Sequence, residues 1–399
     1  MRIGVFSDSY RPYTSGVVTS ICTFKEELNN LGHETFIFAP SYRNYRDEEE
    51  DVFRFFSVPA PSNPNYTLAV PLSPRANMVA KKLNLDVIHV HSPFILGQMG
   101  ARCSRNLGIP LVFTYHTLYD QYVHYVPLAQ EIAREWANKY ISSFSNRCDL
   151  VITPSMEIKN LIQTKGIKTP IEVIPTGVET SRFENGDPSW LRRRFNIPAN
   201  RKICLFVGRL TREKNLDFLF RAFKKVKDEY SDTSLVIVAT GPLEKELKKL
   251  VINLGMIINE DVIFTGFLPS DNLVDAYCGA DIFTFASVTE TQGIVLVEAM
   301  AAGLPVVAIR ATGSQEMVEH EKQGLLVDYN LDMFAQQITR LLRDDELRQR
   351  YSAQAVVRAS ELSSRTMARK LERQYQMLVD EGKGSRSRHL HLFEKWRSG

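Results

Sequence analysis

Ala286-Ser287-Val288-Thr289-Glu290-Thr291-Gln292-Gly293-Ile294-Val295-Leu296-Val297-Glu298-Ala299-Met300-Ala301-Ala302-Gly303-Leu304-Pro305 decides how the chain is read. It leaves the apolar run Ile282–Phe285, crosses a loop containing Gly293, continues at helical period and enters a second apolar run, Pro305–Ala308. A strand, a crossover helix and a strand are the parts of a parallel sheet. The same alternation extends outward. Ile203–Val207, Ser234–Ala239 and Val262–Thr265 read as further strands, with helices over Leu216–Tyr230 and Glu244–Leu254. A first series precedes it: Arg2–Phe6, Thr35–Ala39, Asp86–Val90, Leu111–Tyr115 and Leu150–Thr153, with a helix over Ser20–Leu31 stopped by Gly32. Near-continuous Val/Ile/Leu/Phe strands imply sheets covered on both faces. Two such series predict an α/β protein of two doubly wound, Rossmann-like domains.

The boundary between the series falls between Ile174 and Arg201, where Pro175-Thr176-Gly177 and Ile197-Pro198-Ala199-Asn200 are turn-rich. We expect domains at 1–185 and 186–362, a helix at 363–380 that packs back on the first domain, and a tail at 381–399. The helical pattern before the tail reads as one stretch, roughly Glu346–Asp380. Ligands bind at the carboxyl ends of the strands in such sheets, so both domains should supply site residues, facing each other across a cleft.

Composition narrows the class. The chain has 399 residues, 44% hydrophobic and 24% charged, the balance of a globular protein. No apolar run approaches the roughly 18 residues of a spanning helix, and Ser7 and Asp8 interrupt the N-terminus too early for a signal peptide. A cytoplasmic location is expected. Five scattered cysteines form no C-x-x-C pair. The net charge of +3 does not argue for nucleic acid. It matches the balance of the tail Glu381–Gly399, which has five basic residues and two acidic ones beside Leu390, Leu392, Phe393 and Trp396. That mixture suits an anionic membrane surface, and it equally suits a frayed terminus.

Three segments carry chemistry. Arg209 and Lys214 lie on the loop after Ile203–Val207, where two cations suit a diphosphate. Gly293 and the helix after it offer backbone amides to an anion, with Glu298 a turn or two further on to accept hydrogen bonds from vicinal hydroxyls. Glu290 can reach a sugar hydroxyl. In the first series, Ser15-Gly16-Val17 turns into a helix and His116 ends a strand. No G-x-G-x-x-G, G-x-S-x-G or D-x-D occurs, which disfavours nicotinamide chemistry, a nucleophile elbow and a metal-held diphosphate. Glu290 and Glu298 suit substrate holding better than glycosidic hydrolysis.

The pattern Glu290-x7-Glu298, with Gly208-Arg209 and Lys214-Asn215 upstream, resembles the retaining GT-B glycosyltransferases of family 4, from Met1 to about Asp380. Thr289-Glu290-Thr291-Gln292-Gly293, Tyr115-His116-Thr117 and Tyr122-Val123-His124-Tyr125 are similar to bacterial members that place glucose or galactose on diacylglycerol. The resemblance implies roles. Arg209 and Lys214, with Gly16 opposite, would hold the donor diphosphate. Glu298 would take the ribose, and Glu290 and His116 would face the donor sugar. Gln292, Gly293 and Ile294 would present amides to the sugar and phosphates, and Gly266-Phe267 would border the nucleobase. No metal or other cofactor is implied. The partners implied are a nucleotide sugar such as a UDP-hexose, diacylglycerol or a related lipid, and the inner face of the cell membrane. Candidate membrane contacts are Arg43, Arg46, Phe53-Arg54-Phe55-Phe56, Lys81-Lys82, Arg102 and Arg105. Alternatives are the same chemistry on a phosphatidylinositol-type lipid or soluble sugar, and a non-catalytic member that only binds a nucleotide sugar.

Overall fold

The structure, a computed structural model, describes residues 1–47, 49–60, 63–70, 75–116, 130–288 and 292–397. It divides into two compact units, one of Met1–Thr176 with Met367–Gly399 and the other of Gly177–Thr366.

The first unit runs β1 (Arg2–Phe6), α1 (Gly16–Asn30), β2 (Glu34–Pro40), β3 (Val52–Phe55), β4 (Ser57–Ala60), β5 (Asn63–Ala69), α2 (Arg75–Lys82), β6 (Val87–Val90), α3 (Ile95–Leu107), β7 (Leu111–Thr114), α4 (Gln130–Ser145), β8 (Leu150–Thr153), α5 (Met156–Thr164) and β9 (Ile171–Val173). Its seven-stranded sheet has the order β3-β2-β1-β6-β7-β8-β9, every neighbouring pair parallel. β4 and β5 form a separate antiparallel hairpin. Strands such as β6, β7 and β8 are buried at every position, as a parallel sheet covered on both faces requires. Phe6 and Phe38 stack in this core with ring centroids 4.1 Å apart.

The run Phe53-Arg54-Phe55-Phe56 is not a wholly exposed aromatic patch. Phe53 and Phe55 lie on the edge strand β3 and pack against the core. Arg54 pairs with Asp47 and lies over the rings of Tyr10, Tyr42 and Tyr45. Of the four, Phe56 alone remains largely in water, at 73% exposure.

The second unit runs α6 (Trp190–Phe195), β10 (Lys202–Val207), α7 (Leu216–Glu229), β11 (Thr233–Val238), α8 (Glu244–Asn253), β12 (Val262–Gly266), α9 (Ser270–Cys278), β13 (Ile282–Phe285), α10 (Ile294–Ala301), β14 (Val306–Ile309), α11 (Thr312–Met317), β15 (Gly324–Val327), α12 (Leu331–Arg343) and α13 (Asp345–Glu361). Its six strands take the order β12-β11-β10-β13-β14-β15, again all parallel. Caps set several helix starts: Asn330 accepts from Met333 N at 3.0 Å for α12, and Asp344 from Leu347 N at 2.8 Å for α13. Each satisfies an amide that has no partner inside its own helix.

The C-terminal helical pattern is broken once, at Leu362-Ser363, before α14 (Ser364–Arg397). There Val178 N donates to Leu362 O at 3.2 Å and Ser364 N to Val178 O at 2.8 Å. The neighbouring Gly177 leaves room for this approach, because a Cβ on it would lie 2.4 Å from Ser364 Cα. This pairing also explains why residues 177–185 belong with the second unit. From Met367 onward α14 belongs to the first unit, where Glu372 bonds His33 at 2.8 Å and Tyr375 bonds His89 at 2.6 Å. All five cysteines are free. Burial pushes the thiols of Cys103, Cys148 and Cys204 up, to about 11, 12 and 12. None of these three is poised as a nucleophile.

Candidate functional site

In each unit the strand order reverses about its first strand, and a crevice opens there at the carboxyl ends. In the second unit the reversal falls between β10 and β13. Gly208 and Arg209 leave β10, and a short 3-10 turn over Arg212–Lys214 leads into α7. The loops after β10 and β13 are bonded to each other. Ser287 Oγ donates to Glu213 O at 3.0 Å, and Asn215 Nδ2 donates to Ala286 O at 3.2 Å. Asn215 holds the left-handed conformation, φ 55°, that turns the chain into α7. Arg209 is exposed and Lys214 half-buried. The Lys214 stem passes over Gly208, whose absent Cβ would lie 3.8 Å from Lys214 Cε. Thr211 and a backbone amide, with smaller contributions from Lys214 and Arg209, hold the Glu213 carboxyl below its usual range.

The loop after β13 ends at Gly293, the residue before α10, in a left-handed conformation with φ 65°. A Cβ there would meet Leu296 Cδ1 at 2.9 Å, on top of the backbone strain. Its N-cap residue, Gly293, has no side chain to take the first amides of α10, and a helix N-terminus favours an anion. Gln292 and Ile294 are half-buried at this mouth. Glu298 lies in the second turn of α10, and its Oε2 accepts a hydrogen bond from Tyr277 OH at 2.8 Å. Burial raises the Glu298 carboxyl above its usual value, opposed by the Tyr277 bond and by the charge of Arg182. Burial and the facing Glu298 push the Tyr277 hydroxyl well up, so it stays a donor. Gly266 ends β12, two strands from β10, and Phe267 follows it. The Phe267 ring is 77% exposed, a flat apolar face in water.

In the first unit the reversal falls between β1 and β6. Buried Asp8, beyond β1, accepts from Ser92 Oγ, beyond β6, and from Leu96 N at 2.9 Å. It thereby caps α3 from a different segment. Gly16 opens α1 behind Ser15, whose Oγ accepts from Val18 N at 3.3 Å, and a Cβ on Gly16 would meet nothing within 4 Å. His116 follows β7, half-buried, and burial lowers its ring to about 4. Its Nε2 lies 2.8 Å from His91 Nδ1. The ring is therefore neutral near pH 7.

The structure thus gathers Arg209, Lys214, Gln292, Gly293 and Ile294 on one crevice edge, with Glu298 a turn below, and sets Gly16 and His116 on the carboxyl edge of the other sheet. Glu290 lies outside the described residues, as do Thr289, Thr291, Tyr119, Tyr122, His124 and Tyr125. Sequence reasoning missed Asp8, Tyr277 and the part played by His91. The i, i+2 spacing of His89 on β6 and His91 just past its end was the available signal, since extended spacing puts both rings on one face.

Two family profiles match the chain: "Glycosyltransferase Family 4" over residues 14–182 and "Glycosyl transferases group 1" over residues 190–357. The alpha-monoglucosyldiacylglycerol synthase of Streptococcus pneumoniae is 36% identical over 77% of this chain and 71% of its own length. The enzyme of the same name from Acholeplasma laidlawii is 28% identical over 95% of this chain and 98% of its own. Among solved structures, Anabaena HepE in complex with UDP superposes with a TM-score of 0.75 at 21% identity, over 94% of this chain and all of that one. With two parallel-sheet units and these matches, the chain belongs to the family 4 glycosyltransferases and has their GT-B fold.

Proposed function

We propose that this protein transfers a hexose, glucose first, from a UDP-hexose to 1,2-diacylglycerol with retention of configuration, working at the surface of a membrane. The observation that carries the donor half is the pairing of a two-cation loop with a glycine-led helix N-terminus at one strand-order reversal. A diphosphate needs both, because cations and aligned amides each stabilise its charge. The acceptor half rests on the two diacylglycerol-modifying relatives.

In this reading Arg209 and Lys214 stabilise the charge that grows on the leaving UDP as the bond from the anomeric carbon to the phosphate oxygen breaks. Glu298, held by Tyr277, accepts the ribose hydroxyls, and Phe267 offers its face to the uracil. Glu290 and His116 face the hexose, and Gly16 leaves space beside the diphosphate. A ring that takes a proton only near pH 4 is a weak base at neutral pH. His116 therefore acts as a neutral hydrogen-bond partner. The proton of the attacking glycerol hydroxyl passes to the departing phosphate oxygen, so the new glycosidic bond forms on the face the nucleotide leaves. No metal takes part.

Among the described residues no helix is long and apolar enough to cross a membrane. Contact at a surface is assigned to the first unit. There Arg43, Arg46, Lys81, Lys82, Arg102 and Arg105 are exposed, and Phe94 and Trp136 stand in water at 45% and 73% exposure. Exposed aromatic rings and exposed cations are the residue types a lipid interface uses.

The test offers UDP-glucose, UDP-galactose and GDP-mannose separately to the purified protein with diacylglycerol in anionic vesicles. A hexosyl-diacylglycerol from UDP-glucose is expected. Donor binding without a lipid product would move the acceptor to another molecule, and no donor binding would overturn the reading.

A further inference from the structure

Three histidine rings stand together at the carboxyl edge of the first unit's sheet. His89, on β6, is engaged at both nitrogens: Nδ1 lies 2.6 Å from Tyr375 OH and Nε2 lies 2.6 Å from Thr114 Oγ1. That ring is fixed, and its centroid is 4.3 Å from that of His91. His91 is almost wholly buried, at 3% exposure. Its ring stacks on His116 at 5.0 Å, and its Nδ1 lies 2.8 Å from His116 Nε2. Among the described residues, His91 Nε2 and His116 Nδ1 have no hydrogen-bond partner.

Desolvation keeps both members of the pair uncharged near pH 7. A neutral imidazole has one proton for two nitrogens. When His91 Nδ1 donates, His116 keeps its proton on Nδ1 and His91 Nε2 is bare. When His116 Nε2 donates, His116 Nδ1 is bare and His91 carries its proton on Nε2. The two remaining nitrogens are therefore always opposite in kind, and the character His116 shows to a ligand is coupled to the tautomer of His91.

We infer that His91 is a positioning residue for the transfer reaction: through its Nδ1 it fixes the orientation of His116 and couples the tautomer of His116 to its own, so that His116 Nδ1 meets a polyhydroxyl ligand as donor or acceptor according to the state of His91. This rests on His116 facing the donor sugar.

His91→Asn is the informative substitution, because an Asn amide branches directly from Cγ, where Nδ1 sits, whereas Gln carries its amide one carbon further out. H91N should keep kcat within about tenfold of the native enzyme, whereas H91Q and H91F should lose on the order of 10²-fold in kcat, the scale of a small misplacement of a reacting group. The KM for the donor should change little in all three. Equal losses in H91N and H91Q, or native kcat in H91F, would overturn the inference. An H116A control separates the premises. Native activity in H116A would refute the role of His116, whereas inactive H116A beside fully active H91F would refute the positioning alone. Should the His91 variants not fold, long-range 1H–15N spectra of the unmodified protein labelled at histidine decide. One proton shared between His116 Nδ1 and His91 Nε2 is expected, and both nitrogens protonated or both bare would contradict it.

Discussion

Replacing Glu298 by Gln keeps the shape of the side chain and removes its charge, and stability and binding should respond in opposite directions. In the folded protein, burial raises the Glu298 carboxyl above its ordinary value of 4.5. Between 4.5 and that raised value the folded state holds more protons than the unfolded chain, so stability falls as pH rises across this window and stays lower above it. E298Q has no such proton to lose. It should melt like the native protein near pH 4 and above it at pH 8. Binding goes the other way. Hydrogen bonds to a carboxylate contribute about 1.5–3 kcal/mol each, against about 0.5–1.5 kcal/mol between neutral groups. The amide still accepts one bond from a ribose hydroxyl and from Tyr277, but loses the second ionic acceptor. A loss of about 1.5–3 kcal/mol weakens UDP roughly 10- to 150-fold. Titration calorimetry with UDP, beside thermal unfolding at the two pH values, measures both. Unchanged UDP affinity, or a lower melting point than the native protein at pH 8, would refute the reasoning.

Three further outcomes follow from the same structure. G177A puts a methyl group against the Ser364 backbone and should cost about 1–3 kcal/mol of stability by overpacking, seen as a lower denaturant midpoint; an unchanged midpoint would mean the junction yields easily. Turnover should survive exhaustive treatment with EDTA, because Arg209 and Lys214 are proposed to stabilise the diphosphate without a metal, and a loss restored by added divalent cation would contradict that role. The protein should sediment with anionic vesicles at low salt and be released as salt rises, since surface charge is screened over about 10 Å at 0.1 M; failure to bind vesicles at low salt would count against the proposed surface contact.

The sheets were readable because a parallel strand buried on both faces is a continuous apolar run. Ile282–Phe285 and Leu150–Thr153 have the same bounds in sequence and structure. Among the strands that were missed, Ile171–Val173 is three residues long and Val52–Phe55 mixes a paired arginine into an edge; Gly324–Val327 does carry the apolar signature, buried at every position, and was passed over behind a charged turn. The break before Ser364 is held by contact with Val178, far away in sequence, and its local mark is the N-cap Ser363, whose Oγ accepts from Thr366 N at 3.3 Å. Site residues followed the same division. Arg209, Lys214 and Gly293 sit beside strand ends that the pattern locates. Tyr277 reaches Glu298 from α9, and His91 reaches His116 from a neighbouring strand, so only the packed sheet brings each pair together.

The central claim is most directly tested by the anomeric configuration of the product. The lipid formed from UDP-glucose and diacylglycerol would be isolated and its anomeric proton coupling read by NMR. The account predicts one hexose on the free glycerol hydroxyl in the α configuration of the donor. A β-linked lipid would contradict retention, and free glucose without any glycolipid would contradict transfer to diacylglycerol.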